Sequence, residues 1–125
     1  MKELMEVSMP RQESGEPYYR LNIDEAGKMY DSDDVTFIDV RRPDEYANGH
    51  IKNAIFIPVD DILMRIDELP SDKKLLFICA QGVRSGLACE MAAAMGIDSE
   101  RLYNIEDGSD AWTKKGLPTS YGSEL

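Results

Sequence analysis

The residues of this sequence that are best suited to chemistry stand in one short segment. It reads Cys79-Ala80-Gln81-Gly82-Val83-Arg84-Ser85. Residues 73–79 have the strongest strand pattern in the chain, and residues 84–95 have a helix pattern that Gly96 closes. A short loop that leads into a helix points several backbone N–H groups inward and forms a site for an anion. We therefore expect the amides of residues 80–85 to surround Cys79.

This setting predicts a reactive cysteine. The partial positive charge at a helix N-terminus lowers the pKa of a nearby thiol, and the thiolate is the nucleophilic form. Cys79 is therefore the candidate nucleophile. A buried structural cysteine at the end of a strand is the alternative at this point, because a free cysteine also behaves as a small hydrophobic residue.

The elements that must position Cys79 alternate between strand and helix patterns. Strands are predicted at 18–21, 35–40, 53–59, 73–79 and 101–105, and helices at 22–30, from 43, at 60–69, 84–95 and 108–115. Alternation of this kind predicts an α/β fold, a mainly parallel five-stranded sheet between two layers of helices. In such sheets ligands lie beyond the carboxyl ends of the strands, where Cys79 stands.

Other reactive side chains are better explained by structure than by chemistry. Asp39, at the end of a buried strand, is expected to bind the loop or pair with Arg41 rather than to act as a base. Arg41 is also expected to pair with Glu45, four residues on, and to line the mouth of the site. The single histidine, His50, would suit a Cys–His pair, but a structural hydrogen-bonding role is favoured. Cys89 is expected to pack with Leu87 and its alanine neighbours, with a redox role as the minor alternative.

The composition excludes several classes of function. The formal net charge of -10 disfavours a nucleic-acid partner. Two cysteines and one histidine are too few for a structural zinc site, and they form no secreted disulfide framework. The apolar runs are too short for a membrane span, and the first residues lack the apolar core of a signal peptide. We expect a cytoplasmic protein with no metal and no cofactor.

The chain length of 125 residues indicates one domain. Residues 18–118 carry the alternating pattern and are predicted to form it. Residues 1–17 have no clear period and are predicted to be a loosely ordered lead-in, and residues 119–125 a C-terminal tail.

Three segments resemble the rhodanese family. The segment from Cys79 to Ser85 resembles its active-site loop in the form Cys-x-x-Gly-x-Arg-Ser. The first signature of the family is matched by Asp39-Val40-Arg41, Glu45-Tyr46, Gly49-His50-Ile51, Ala54 and Ile57-Pro58, and the second by Gly108, Ala111-Trp112 and Gly116-Leu117-Pro118. The segments occur in the family's order over residues 18–118. Asp107 stands where the family commonly has a glycine, and we expect its carboxylate near the mouth of the site.

The resemblance implies a sulfurtransferase. Cys79 would take sulfur from a donor such as thiosulfate as a persulfide, and an acceptor such as cyanide, a thiol or a sulfur-relay protein would remove it. By the same analogy Arg84 holds the anionic end of the donor, or else points outward to an acidic neighbour. Ser85 is expected to cap the helix or brace the loop.

Three other functions are weighed against sulfur transfer. Cysteine phosphatases that share this fold have a loop one residue longer, so the loop here is too short to wrap a phosphate. A persulfide carrier or partner-binding module, with little turnover of small donors, is the main alternative. A regulatory domain without activity is disfavoured because Cys79 is present.

Overall fold

The computed structural model describes residues 10–125, so residues 1–9 of the expected lead-in lie outside the described residues. The elements, in chain order, are β1 (Tyr19–Leu21), α1 (Ile23–Lys28), β2 (Val35–Asp39), α2 (Pro43–Ala47), β3 (His50–Ile51), β4 (Ile55–Phe56), β5 (Lys74–Ile78), α3 (Val83–Ala94), β6 (Leu102–Ile105), α4 (Ser109–Lys114) and β7 (Thr119–Ser120). Short 3-10 turns cover Val59–Asp61, Ile66–Glu68 and Ser99–Arg101.

The central sheet has five strands in the order β1-β6-β5-β2-β4. All four of its strand pairs are parallel, so the carboxyl ends of the strands lie along one edge. Strands β3 and β7 form a separate antiparallel pair. The predicted α/β fold with a parallel five-stranded sheet is confirmed, and Cys79 follows its middle strand.

Alternating side chains of β5 build a core on each face of the sheet. Leu75 and Phe77 pack on one face with Ala88 and Cys89 of α3. Leu76 and Ile78 pack on the other, where Trp112 of α4 is buried. Burial of one such large apolar side chain stabilises the fold by about 1.5–3 kcal/mol. The helices therefore cover both faces of the sheet, and Cys79 follows a strand that is buried on both sides.

Local sequence signals explain where the helices begin. Asn22 accepts a hydrogen bond from the backbone N–H of Glu25, whose carboxylate accepts from the N–H of Asn22, so a capping box starts α1. Pro43 occupies the first position of α2, where its missing N–H costs nothing. Both starts were predicted.

The predicted helix over residues 60–69 is wrong. The chain forms two separate 3-10 turns there. Pro70 restricts the residue before it to extended backbone, and Leu69 has a ψ of 136°. Of the predicted strand 53–59, only Ile55–Phe56 forms regular strand, although the N–H groups of Ile57 and Val59 still donate to the carbonyls of Asp39 and Val40. Leu87, expected to pack beside Cys89, is 45% exposed.

The described part of the lead-in contacts the domain. Arg11 pairs with Arg20 of β1 through two backbone hydrogen bonds. The carboxylate of Glu16 accepts from the Arg20 guanidinium, which lowers the pKa of Glu16 to about 2. Between residues 10 and 125 no helix is long and apolar enough to cross a membrane.

Candidate active site

The sulfur of Cys79 lies in a cradle of backbone amides. Cys79 directly follows β5, and only 1% of its surface is exposed. The N–H of Gly82 donates to Sγ at 3.1 Å and the N–H of Ser85 at 3.3 Å. The Ser85 hydroxyl also lies 3.3 Å from Sγ. Of the six predicted amides, those of Gly82 and Ser85 thus reach the sulfur directly.

Two opposing effects set the acidity of this thiol. Burial is the largest single effect and raises the pKa of Cys79, because it disfavours the charged form. Hydrogen bonds donated to the sulfur by the backbone amides of the loop lower it. Together they leave the pKa below the ordinary value of a thiol. The cradle therefore favours the thiolate, which is the nucleophilic form.

Two glycines allow the loop to adopt this shape. Gly82, directly before α3, has a φ of +86°, and a Cβ there would lie 2.7 Å from the carbonyl oxygen of Glu106. Gly108 has a φ of +87°, and its Cβ would lie 1.9 Å from the carbonyl oxygen of Ala80. The N–H of Ser109 donates to the Cys79 carbonyl at 2.9 Å. The loop thus lies directly on the segment that follows β6.

Arg84 is held in a bidentate ion pair. Its Nη1 and Nη2 donate to Oε1 and Oε2 of Glu45 at 2.7 and 2.9 Å. The pair lowers the pKa of Glu45 to about 2 and raises the pKa of Arg84. The predicted pairing of Glu45 with Arg41 is wrong, because the sheet brings α2 and α3 together and Glu45 meets Arg84 instead. The sequence left two roles open for Arg84, binding the donor or pairing with an acidic neighbour. In the structure it pairs with an acidic neighbour, Glu45.

Arg41 pairs with Asp39, as predicted. Nη2 of Arg41 donates to Asp39 Oδ2 at 2.7 Å and to the Gly49 carbonyl at 2.7 Å. Its Nη1 donates to the Ser109 hydroxyl at 3.2 Å. Both members of the pair are buried. Arg41 therefore ties the end of β2 to the start of α4, and the Asp39 carboxylate is occupied.

The remaining candidates have structural surroundings. His50 is buried, its Nδ1 lies 2.8 Å from the Tyr46 carbonyl and its Nε2 faces the Glu124 carbonyl. Its ring stacks on Tyr46 with centroids 3.6 Å apart. Cys89 is fully buried, and burial raises the pKa of its thiol well above the ordinary value. A reactive thiolate is thus favoured at Cys79 and opposed at Cys89.

Two residues near the loop differ from the sequence interpretation. Asp107 was expected near the mouth, but its Oδ2 accepts the N–H of Ile23 at 2.7 Å and so caps α1. Asn104 was missed. Its Nδ2 donates to the Gly82 carbonyl at 3.0 Å, and its Oδ1 accepts from the Ser85 hydroxyl at 2.5 Å. The available signal was an amide side chain near the carboxyl end of an otherwise apolar strand.

A cleft opens beside Arg84. Its volume is about 380 Å³. It is lined by Val40, Arg41, Arg42, Pro58, Val59, Asp60, Arg84 and Leu87. The lining combines arginine and apolar side chains, and it includes Arg84 in the first turn of α3.

The comparison with known families follows this geometry. A family model described as Rhodanese-like domain matches residues 22–115. The chain belongs to the rhodanese-like family. The match covers the loop, both predicted signatures as far as residue 115 and four of the five strands of the central sheet, so the family resemblance seen in the sequence is confirmed.

Known relatives of this rhodanese-like chain differ in length and description. A protein of Allochromatium vinosum described as a sulfurtransferase is 35% identical over 91 residues, 73% of this chain and 83% of that protein. A tRNA uridine(34) hydroxylase of Yersinia pestis is 32% identical over 113 residues, which cover 81% of this chain but only 31% of that protein. The crystal structure of a rhodanese-like domain protein from Staphylococcus aureus has a TM-score of 0.70 and 34% identity, covering 83% of this chain and 98% of that one.

Proposed function

We propose that this chain is a sulfurtransferase that carries sulfane sulfur as a persulfide on Cys79. The observation that carries the proposal is the cradle: two backbone amides at the start of α3 donate to the Cys79 sulfur and favour its thiolate. Membership of the rhodanese-like family and the similarity to a protein described as a sulfurtransferase support sulfur transfer as the reaction.

The cycle has two displacement steps. With thiosulfate as donor, the Cys79 thiolate attacks the outer sulfur. A bond forms between the two sulfur atoms, and the S–S bond of thiosulfate breaks, releasing sulfite with the bonding electron pair. An acceptor such as cyanide or a thiolate then attacks the outer sulfur, and Cys79 leaves as the thiolate. The proton of the resting thiol goes to solvent before the first attack.

A specific observation favours a second candidate, the persulfide carrier. Arg84 is the basic residue of the loop, and its guanidinium is already bound at two points by Glu45. An anionic donor must compete with that carboxylate, whereas a persulfide delivered by a partner protein need not. The physiological donor or acceptor in this version is a thiol or a sulfur-relay protein. Both cysteines are free thiols, which supports a reducing, cytoplasmic setting for either version.

The intact mass of the purified protein before and after thiosulfate tests the proposal. We expect a gain of one sulfur atom on the wild type and on Cys89→Ser, no gain on Cys79→Ser, and loss of the gain after cyanide. Cys89→Ser is the matched control because it changes the other buried thiol. Labelling by a persulfidated protein but not by thiosulfate would select the carrier. Labelling by neither donor would overturn the proposal.

A further inference from the structure

A buried chain of hydrogen bonds runs from the loop backbone to the reactive sulfur. Asn104 on β6 is 3% exposed and contacts the Gly82 carbonyl and the Ser85 hydroxyl, at 3.0 and 2.5 Å. Ser85 is fully buried, and its Oγ lies 3.3 Å from Cys79 Sγ. Asn104 does not touch the sulfur, and its effect on the sulfur must pass through Ser85 and the loop.

The chemistry of the groups determines the direction of each bond. A carbonyl oxygen only accepts, so the atom of Asn104 that faces Gly82 must be the Nδ2 amide nitrogen. The atom that faces Ser85 is then Oδ1, which also only accepts. The hydroxyl of Ser85 has a single hydrogen and donates it to Asn104. Ser85 therefore presents lone pairs, and no hydrogen, to Cys79.

We propose that Asn104 is a positioning residue that turns the Ser85 hydroxyl away from Cys79, so that Ser85 accepts the S–H proton of the resting thiol. The inference deepens the proposed function, since it rests on Cys79 being the nucleophile. In the resting state the sulfur accepts two amide hydrogens and donates its own to Ser85, and all three bonds fit the thiol form.

Ionisation of Cys79 has a cost that Asn104 sets. A thiolate faced by the lone pairs of Ser85 is destabilised unless the hydroxyl rotates toward the sulfur. Rotation leaves the buried Oδ1 of Asn104 without a donor, and a buried acceptor without a donor is unfavourable. The sulfur accepts two hydrogen bonds, from the amides of Gly82 and Ser85. Asn104 thus prevents a third one, from the Ser85 hydroxyl.

This restraint has a chemical use in sulfur transfer. The nucleophilicity of a thiolate falls as the pKa of its thiol falls, and the best attacking thiol has a pKa near the ambient pH. Three hydrogen bonds donated to Cys79 would produce more thiolate, but a less nucleophilic one. By reserving the Ser85 hydroxyl, Asn104 keeps the sulfur more basic.

A double-mutant cycle between Asn104 and Ser85 tests the inference. The pKa of Cys79 is measured from the pH dependence of its alkylation by iodoacetamide, followed by intact mass, in the wild type, Asn104→Leu, Ser85→Ala and the double variant. Leucine fills the space of asparagine without an acceptor, and the Gly82 carbonyl keeps the N–H of Gly86. Asn104→Leu frees the hydroxyl to donate to the thiolate, which lowers the pKa by about one unit.

The two single variants are expected to change the pKa of Cys79 by different amounts. Ser85→Ala in the wild type leaves the pKa within a few tenths of a unit, because its hydroxyl does not donate to the sulfur. The same change in the Asn104→Leu background raises the pKa by about one unit. Ser120→Ala, a change at a buried serine that hydrogen-bonds the Leu125 carbonyl instead, is the matched control and leaves the pKa unchanged.

The opposite pattern would overturn the inference: a raised pKa in Ser85→Ala alone, with no decrease in Asn104→Leu. If Asn104→Leu does not fold, Asn104→Ala replaces it. That variant also removes the acceptor of the Ser85 hydroxyl, so the pKa must fall; a rise contradicts the inference. Alkylation needs no sulfur donor, so failure of the proposed sulfur transfer would not be mistaken for failure of this inference.

Discussion

At the scale of single residues, the charged side chains near Cys79 are mostly paired with one another. Arg84 is bound by Glu45, and Arg41 by Asp39. The stabilisation of negative charge at the sulfur therefore comes from backbone dipoles rather than from a free cation. Arg84 becomes available to an anionic substrate only when Glu45 releases it.

Neutralising Glu45 is predicted to improve the use of thiosulfate. In Glu45→Gln the amide oxygen can still accept the N–H of Arg42, so α2 keeps its cap, while the charge that holds Arg84 is gone. Because the pKa of Glu45 is about 2, its charge is present throughout any neutral assay. We expect KM for thiosulfate to fall about five- to tenfold, equivalent to about 1 kcal/mol, in steady-state kinetics.

The control for this prediction is Glu68→Gln. It removes the same charge from an ion pair with Arg65, which is not part of the Cys79 loop. An equal change in both variants would mean that net charge alone is responsible. A rise of KM in Glu45→Gln would mean that the ion pair positions the loop instead of withholding Arg84.

At the scale of elements, the loop of residues 79–85 depends on the segment that follows the neighbouring strand. Strands β5 and β6 lie side by side, and the chain leaves both at the same edge of the sheet. Gly108 passes so close to Ala80 that no side chain fits between them. The shape of the loop is therefore a property of two adjacent strand ends rather than of residues 79–85 alone.

A methyl group at Gly108 is predicted to displace the loop. Gly108→Ala combines a positive φ with a contact of 1.9 Å to the Ala80 carbonyl, and we expect a loss of about 3–5 kcal/mol in the free energy of unfolding. Gly96→Ala has a similar φ, +96°, but open space, and is expected to cost about 1–2 kcal/mol.

Urea unfolding measures the loss of stability, and alkylation of Cys79 by iodoacetamide measures the pKa of its thiol. The pKa of Cys79 should rise in Gly108→Ala, because the amides move away from the sulfur, and should not change in Gly96→Ala. Equal destabilisation of the two variants would contradict the role of the close contact.

At the scale of the whole molecule, negative charge dominates. The chain has 24 acidic and 14 basic residues, for a formal net charge of -10. Within residues 10–125, six arginines lie in ion pairs with carboxylates: Arg11, Arg20, Arg41, Arg42, Arg65 and Arg84. The long-range field therefore repels anions, and an anionic substrate gains attraction only within the site.

Salt is predicted to accelerate the reaction with thiosulfate. Screening weakens the repulsion between the acidic protein and a dianion, so kcat/KM for thiosulfate should rise about two- to threefold between low and physiological ionic strength. The value of kcat/KM for a neutral thiol acceptor, measured in the same assay, should not change. A fall with salt for thiosulfate would show that local positive charge outweighs the net charge.

The sequence alone determined the features that depend on neighbouring residues. Alternating strand and helix patterns predicted the parallel sheet, Asn22 and Pro43 predicted two helix starts, and the spacing from Cys79 to Ser85 predicted amides around the sulfur. Each of these results from steric and hydrogen-bonding preferences that act over a few residues, which a sequence shows directly.

Only the tertiary structure decided which distant groups meet. Glu45 binds Arg84 instead of Arg41, Asp107 caps α1 instead of facing the site, and Asn104 reaches Ser85 from a neighbouring strand. Such contacts depend on the strand order and on how closely the segments pack, which no local pattern encodes. The position of Cys79 was therefore set by local sequence, and the distant groups that surround its loop were set by the fold.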